Sequence, residues 1–147
     1  VGEAIGRGPA ATAAIADLDR ALDAAAAHRP AHHPRVLAVI DREAHGLGNI
    51  TAAGPGSWVD ELLAVAGGDN VLAGAAARYP KITAEEVLRA QPDVILDLGF
   101  GSDLTPWTTL DVPAVHAHRV RALTTAPLMH PSPRVGEALA ALGAALE

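Results

Sequence analysis

The stretch that decides the fold is Tyr79-Pro-Lys-Ile-Thr-Ala-Glu-Glu-Val-Leu-Arg-Ala-Gln-Pro-Asp-Val-Ile-Leu-Asp-Leu98. Thr83 and Glu86 have the three-residue spacing of a capping box, which predicts a helix that begins directly after the threonine. Pro92 disfavours helical geometry at the residue before it and so ends the helix. The apolar run from Val94 to Leu98 is typical of a strand buried in a parallel sheet. Together these signals predict one helix-then-strand unit of an open α/β sheet.

The rest of the chain repeats this alternation of helices and strands. Before the deciding stretch we predict a long amphipathic helix, two strands, a helix capped by Ser57 and a brief strand. After it we predict a last strand and a final helix capped by Ser132. The predicted ranges are 9–28 for the long helix, 35–40, 49–52, 70–72 and 112–116 for the strands, and 133 onward for the final helix. The sequence therefore predicts a three-layer α/β fold, an open, mainly parallel sheet with helices on both faces, preceded by a long helix.

Composition excludes several classes of function. Acidic residues outnumber basic ones by 17 to 11, the net charge is −6, and no basic cluster is present to bind nucleic acid. The sequence contains no run of about 18 apolar residues, the length that a membrane-spanning helix needs. The chain has no cysteine, so it can form neither a disulfide nor a thiolate metal site. It starts at Val1 without a signal-peptide pattern, and we expect a fragment or a processed product.

The motifs of common enzyme classes are missing from the sequence. There is no Gly-x-Ser-x-Gly nucleophile elbow, no phosphate-binding P-loop and no His-Glu-x-x-His zinc motif. The adjacent acids Glu85 and Glu86 are explained by the preference of helix N-termini for negative charge. We therefore predict a binding module and not an enzyme.

Five motifs, in order along the chain, resemble those of one family of transport proteins. They are Val39-Ile-Asp-Arg-Glu43; Gly54-Pro-Gly-Ser-Trp-Val-Asp-Glu-Leu-Leu63 with Ala66-Gly-Gly-Asp-Asn-Val71; Tyr79-Pro with Thr83-x-Glu85 and Pro92-Asp-Val-Ile95; Arg119-Val-Arg-Ala-Leu123; and Pro131-Ser-Pro-Arg-Val135. This pattern, over about residues 34–147, resembles the C-terminal lobe of the cobalamin, haem and ferric-siderophore binding proteins of ABC importers. Those proteins have two α/β lobes joined by one long helix.

The resemblance implies a domain organisation and a location. Residues 1–33 would be the long connecting helix and a linker, and residues 34–147 the C-terminal α/β lobe of a periplasmic-binding-protein-like fold, with the N-terminal lobe absent from this sequence. Alternatively, the long helix simply packs on the sheet of this lobe. The protein would be extracytoplasmic, in the periplasm or as a membrane-anchored lipoprotein, and would meet the membrane only through the permease subunits of the ABC transporter.

The resemblance also implies a ligand and two site residues. The ligand would be a metal chelate, either cobalamin, haem or a ferric siderophore, bound between the lobes and delivered to the permease without any further cofactor. Tyr79 matches the family's aromatic ligand contact on the loop before the helix, and its ring can stack on a flat ligand. Glu85 matches the carboxylate that docks on the permease.

Three further residues are candidate ligand contacts because of their positions. Arg42 follows the first strand, where open α/β sheets bind ligands, although a surface salt bridge with Glu43 or Asp41 explains it equally well. Trp58 lies in the first turn of a helix, and Phe100 follows the strand that ends at Leu98. Both aromatic side chains suit either a pocket wall or simple packing.

Two other functions stay open at this point. Gly99-Phe-Gly101 after a strand suits an α/β enzyme or subunit that binds a phosphorylated ligand, although the third glycine and the acidic residue of a dinucleotide site are missing. His116 and His118 fall on one side of the predicted last strand, a spacing that metal sites use, which leaves a histidine-based metal-binding module as an alternative. Because no carboxylate is fixed beside these histidines, we predict no metal site.

Overall fold

The computed structural model of the chain describes residues 6–99 and 103–147. In these ranges the α-helices are α1 Gly8–Ala27, α2 Trp58–Ala66, α3 Ala84–Ala90, α4 Pro113–His116, α5 Ala126–Met129 and α6 Val135–Leu146. The strands are β1 Arg35–Asp41, β2 Ile50–Ala52, β3 Asp69–Asn70, β4 Lys81–Ile82, β5 Val94–Asp97 and β6 Val120–Ala122, and a 3₁₀ helix spans Thr105–Thr109. Helices and strands alternate along the chain, as the sequence predicts.

The strands form one six-stranded sheet in the order β4-β2-β1-β5-β6, with β3 paired to the first residues of β1. β1 pairs in parallel with β3 and β5, and β5 pairs in parallel with β6. β2 runs antiparallel to both β1 and β4. The sheet is therefore mainly parallel, and the carboxyl ends of β1, β5 and β6 lie at one edge.

Side chains alternate across the central strands into two apolar cores. Val36 and Ala38 of β1 belong to a core with α2, α5 and α6, whereas Leu37 and Val39 belong to a core with α3, the 3₁₀ helix and α4. Because successive strand residues point to opposite faces, a strand covered on both faces is apolar throughout. This arrangement confirms the predicted three-layer α/β fold.

Two predicted helix starts are formed by the expected caps. The Ser57 hydroxyl accepts a hydrogen bond from the Asp60 amide at 3.2 Å at the start of α2. Thr83 and Glu86 form the reciprocal capping box of α3, and the Glu86 carboxylate accepts from the Thr83 amide at 2.7 Å. Gly67 ends α2 with a φ of +87°, which glycine adopts without strain. These local signals set where both helices begin and where α2 ends.

The long helix α1 packs on this lobe mainly through its second half. Leu22 and Ala25 lie against the core that contains α2 and α6. Gly136 of α6 approaches α1 closely enough that a Cβ on residue 136 would lie 3.0 Å from the Ala21 Cβ. Nearer the start of the helix, Ile15 and Leu18 are exposed. No helix in the described ranges is long and apolar enough to cross a membrane.

Two predicted elements near the C-terminus are wrong in type or position. Residues 112–116 are not a strand, because Pro113 begins the short helix α4, where its fixed φ and missing amide suit a first helical position. The strand that pairs with β5 is β6, a few residues later. His116 and His118 therefore do not share a strand face. The final helix begins at Val135, later than predicted, after a turn in which the Ser132 hydroxyl accepts from the Arg134 amide.

Candidate functional site

Tyr79 lies on a segment that is held against β2 through its backbone. The Gly54 amide donates to the carbonyl of Arg78 at 2.8 Å, and the Ala52 amide donates to the carbonyl of Pro80 at 3.0 Å. These bonds extend the antiparallel pairing of β2 and β4 to residues on both sides of the tyrosine. The Tyr79 side chain itself is 49% exposed. The fold thus fixes the backbone at Tyr79 while its ring stays accessible to solvent.

Gly54 allows this close approach of the two segments. A Cβ on residue 54 would lie 2.3 Å from the carbonyl oxygen of Ala77 and 2.9 Å from Cδ of Pro80. Atoms in well-packed proteins do not come so close, and only glycine fits without a shift of the backbone. The carbonyl of Gly54 in turn accepts from the Ser57 hydroxyl at 2.8 Å. Gly54 therefore ties the Tyr79 segment to the start of α2.

Trp58 lies in the first turn of α2 and lines an apolar groove. Its Nε1 donates to the carbonyl of Pro127 at 3.0 Å, which fixes the indole against α5. The groove has a volume of about 490 Å³ and is also lined by Ile15 and Leu18 of α1 and by Val135 of α6. Tyr79 does not line this groove. The structure therefore places Trp58 in a groove beside α1, and its contact with a ligand stays a prediction.

Arg42 points into the protein and does not form the surface salt bridge that the sequence suggests as one interpretation. Its side chain is 3% exposed, and its Nε lies 2.6 Å from Oδ2 of Asp97. The guanidinium also donates to the carbonyl oxygens of Glu43, Gly46 and Asp103. The predicted surface salt bridge with Glu43 or Asp41 is therefore wrong. Since four of its five N–H groups are used inside the protein, Arg42 is poorly suited to bind a ligand.

Asp97 and Trp107 complete the buried cluster around Arg42, and no sequence motif singled them out. Oδ2 of Asp97 also accepts from Nε1 of Trp107 at 2.8 Å, and Oδ1 accepts from the Gly99 amide at 3.2 Å. The Arg42 guanidinium lies 5.6 Å from the centre of the Trp107 ring, a cation–π distance. One signal in the sequence could have indicated this cluster: Asp97 lies at the end of an apolar strand, and a buried charge needs a partner. The cluster joins the segments that follow β1 and β5.

These two segments also meet at the surface. Nδ1 of His45 lies 3.5 Å from Oδ2 of Asp103. Hydrogen bonds from Thr105, first through its side chain and then through its backbone amide, hold the pKa of the Asp103 carboxyl below its usual value. The carboxylate therefore stays charged at neutral pH and faces the imidazole of His45.

Of the two remaining predicted site residues, the structure describes Glu85 but not Phe100. Glu85 is exposed in the first turn of α3, while the carboxylate of its neighbour Glu86 is engaged in the capping box. Of the two acids, Glu85 is the one with a carboxylate available to a partner. Phe100, predicted at the edge of a ligand cleft, lies outside the described residues.

Three histidines in the described ranges, His33, His45 and His116, each lie near a single carboxylate. Nε2 of His116 lies 3.0 Å from Oδ1 of Asp111, and Nδ1 of His33 lies 3.5 Å from Oδ1 of Asp69. Within residues 6–99 and 103–147, no group of three or more His, Asp or Glu side chains is placed to hold a metal ion. The geometry of the described residues thus offers no support for a histidine-based metal module.

The fold and the motifs together define a class of protein. The family model for periplasmic binding proteins matches residues 1–103 of the 147 residues. The chain belongs to the periplasmic binding protein family. This result confirms the family that the five motifs resemble.

Individual relatives agree with this assignment. The chain is 33% identical over 93 residues to the Vitamin B12-binding protein of Vibrio parahaemolyticus, an alignment that covers 61% of this chain and 34% of that protein. The periplasmic heme-binding protein RhuT from Roseiflexus sp. RS-1 matches with a TM-score of 0.78 and 29% identity over 99% of this chain and 58% of that one. The periplasmic Vitamin B12 binding protein BtuF of Vibrio cholerae matches with a TM-score of 0.71 and 26% identity over 88% and 49%. The chain spans about a third of that curated relative and roughly half of these solved structures.

Family membership decides between the functions that the sequence left open. Members of the family are substrate-binding transport proteins and not enzymes, which confirms the prediction that the chain is not an enzyme. The alternative of an enzyme that binds a phosphorylated ligand at Gly99–Gly101 is therefore wrong. The two solved relatives from Roseiflexus and Vibrio cholerae are periplasmic and hence extracytoplasmic proteins.

Proposed function

We propose that this chain is the ligand-binding C-terminal lobe, residues 34–147, and the connecting helix, residues 1–33, of the substrate-binding component of an ABC importer. The lobe binds a metal chelate, either cobalamin, haem or a ferric siderophore, in a cleft that it shares with a second lobe. The family assignment supports this proposal, as do relatives whose names give Vitamin B12 or heme as the ligand. The protein acts outside the cytoplasm and needs no further cofactor.

The observation that carries the proposal is the geometry of Tyr79. A half-exposed aromatic side chain on a loop usually moves with its loop, but here the carbonyls of Arg78 and Pro80, on either side of Tyr79, accept from the amides of Gly54 and Ala52. Ordering a binding loop costs free energy, and a loop that is already ordered binds more tightly for the same contacts. A fixed, accessible aromatic ring suits stacking on a flat macrocycle or a catecholate.

The exposed apolar side of α1 agrees with a second lobe. Ile15 and Leu18 belong to the helix proposed to connect the lobes, and they line the apolar groove with Trp58. A contiguous exposed apolar surface of this kind usually marks an interaction site. In the two-lobed protein this groove would adjoin the other lobe, and Trp58 would stand at the boundary.

Delivery of the ligand requires docking on the permease, which we assign to Glu85. Its carboxylate projects from the first turn of α3 and is not used by the capping box. Complementary charges of this kind speed up encounter and orient the partners more than they add affinity.

The test of this function is a binding screen of the full-length protein against cyanocobalamin, haemin and a panel of ferric siderophores, read out by thermal shift and absorbance. The same screen is run on residues 1–147 alone. We expect one ligand class to raise the melting temperature of the full-length protein and to act weakly or not at all on the single lobe. Failure of every ligand to stabilise the full-length protein would overturn the proposal.

A further inference from the structure

The motif Ala66-Gly-Gly-Asp-Asn-Val71 contains one side chain, that of Asn70, whose whole amide group is hydrogen-bonded. Its Nδ2 donates to Oδ1 of Asp60 at 2.8 Å and to the carbonyl of Ala53 at 3.1 Å. Its Oδ1 accepts from the Leu72 amide at 2.9 Å. The first turn of α2 and the turn that precedes it therefore meet at one half-buried side chain.

The Ala53–Gly54 peptide group lies between Asn70 and the segment that carries Tyr79. Its carbonyl oxygen accepts from Asn70, and its N–H, on Gly54, donates to the carbonyl of Arg78 at 2.8 Å. Because a trans peptide group is planar, its C=O and N–H point in opposite directions, and a bond that fixes one also fixes the direction of the other. Asn70 therefore orients the donor that holds the residue directly before Tyr79.

The groups around the side chain of residue 70 require an amide. Two of them, the Asp60 carboxylate and the Ala53 carbonyl, are acceptors, and the third, the Leu72 amide, is a donor. Asparagine is the side chain of this length that offers both N–H donors and an oxygen acceptor. An aspartate of the same shape would keep the bond to Leu72, lose both donors and face the negative charge of Asp60.

The Asp60 carboxylate is the second member of this network and holds the turn before α2. Its Oδ2 accepts from the Gly56 amide at 2.9 Å, while its Oδ1 accepts from Asn70. The backbone amide of Asp60 also donates to the hydroxyl of Ser57, the cap of α2. Asn70 and Asp60 thus restrain the turn at residues 53–57 from the β3 side and from the α2 side.

We propose that Asn70 is a positioning residue for ligand binding, because it holds the Ala53–Gly54 peptide group in the orientation that fixes the Tyr79 segment. This inference rests on the proposed function, since it takes Tyr79 as the ligand contact. Asn70 acts through two hydrogen bonds in series, of 3.1 and 2.8 Å, and not by contact with the ligand. The tyrosine segment is thereby ordered before the ligand arrives, which reduces the entropy lost on binding.

Three variants of the full-length protein test this inference. Asn70→Asp removes both donors and keeps the acceptor. The exchanged pair Asn70→Asp, Asp60→Asn restores the hydrogen bond between residues 60 and 70 but still leaves the Ala53 carbonyl without its donor. Asn49→Asp is the matched control, since this other asparagine of the chain donates to a carboxylate within the hairpin of β1 and β2.

Affinities for cyanocobalamin, haemin and a ferric tricatecholate are measured by tryptophan fluorescence quenching, and stability by urea denaturation. For the ligand that wild type prefers, Asn70→Asp should weaken binding by about fivefold and speed up hydrogen exchange of the Gly54 amide by a similar factor. In a Tyr79→Ala background the same substitution should cause no further loss of affinity, because the ring that it positions is absent. The exchanged pair should recover most of the stability but not the affinity, and Asn49→Asp should leave the affinity unchanged.

A merely structural role of Asn70 predicts different results, and these would overturn the inference. They are an equal loss of affinity in the wild-type and Tyr79→Ala backgrounds, or recovery of affinity together with stability in the exchanged pair. If Tyr79→Ala weakens binding while Asn70→Asp does not, the positioning role is wrong and the proposed function stands. If Tyr79→Ala leaves the affinity for all three ligands unchanged, the binding site assigned in the proposed function is wrong, and this inference with it.

Discussion

Arg42 and Asp97 form a buried ion pair that connects the ends of two neighbouring parallel strands. Their Nε and Oδ2 atoms are 2.6 Å apart, and the two side chains are 3% and 1% exposed. Arg42 directly follows β1, and Asp97 is the last residue of β5, which pairs with β1. The pair therefore links the carboxyl ends of β1 and β5 at the centre of the sheet.

Replacing Asp97 by alanine should destabilise the protein strongly. The Arg42 guanidinium and the indole N–H of Trp107 would both lose their acceptor inside the core. Removal of one partner of a buried ion pair typically costs about 3–5 kcal/mol, because the remaining charge stays desolvated. The free energy of unfolding in urea, measured for wild type and Asp97→Ala, gives the loss directly.

The buried charge, and not the lost volume, should cause this effect. The double variant Arg42→Met, Asp97→Ala loses the same volume at residue 97 but leaves no buried charge, so it should be more stable than Asp97→Ala alone. Arg134→Met provides a surface control, since Arg134 forms an exposed ion pair with Glu137 and its removal should hardly change the unfolding midpoint. Equal destabilisation by Asp97→Ala and by the double variant would contradict the explanation.

Gly54→Ala should displace the segment that carries Tyr79. The added methyl group would lie 2.3 Å from the carbonyl oxygen of Ala77, so the backbone has to move. We expect a loss of about 1–3 kcal/mol in stability, as is typical of overpacked sites, and weaker ligand binding than the stability loss alone would cause. Chemical denaturation and ligand titration of the same variant separate the two effects.

Gly74→Ala is the matched control for this substitution. Gly74 lies in the connection between β3 and β4 that also contains Tyr79, but a Cβ on residue 74 would meet no atom within 4 Å. Its stability and ligand affinity should remain at the wild-type level or rise slightly. If Gly54→Ala behaves like Gly74→Ala, the close approach at residue 54 does not position the tyrosine.

The parts of the fold that depend on nearby residues could be predicted from the sequence. The capping box of Thr83 and Glu86, the cap at Ser57 and the apolar β1 strand each involve interactions within a few positions or a uniform run. Such signals do not depend on the rest of the chain. The order of elements, and with it the α/β class, follows from them.

The parts that depend on distant residues could not be predicted. Two partners of Arg42, the Asp97 carboxylate and the Asp103 carbonyl, lie 55 and 61 positions away, and no local pattern shows that these groups will meet in the core. Pro113 is ambiguous by itself, since proline suits both the start of an edge strand and the first turn of a helix. The pairing of β6 with β5 decides that Pro113 starts a helix and not a strand, and that pairing is a tertiary interaction.

Tyr79→Ala should reduce ligand affinity by about five- to tenfold and leave stability nearly unchanged. The ring is half exposed, so few core contacts are lost, while the stacking surface for the ligand disappears. Tyr79→Trp should retain binding because it keeps a flat aromatic face. Isothermal titration with the ligand found in the screen measures both variants, and an unaltered dissociation constant in Tyr79→Ala would remove this residue from the site.

Glu85→Ala and Glu86→Ala should have opposite consequences although the residues are adjacent on α3. Glu86 closes the capping box, so its removal should cost roughly 0.5–1 kcal/mol in stability and leave docking intact. The Glu85 carboxylate is free, so its removal should leave stability and ligand affinity unchanged while impairing docking on the permease, because a charge that steers the encounter is lost. Uptake by the reconstituted importer measures docking, and normal uptake with Glu85→Ala would show that the permease does not use this carboxylate.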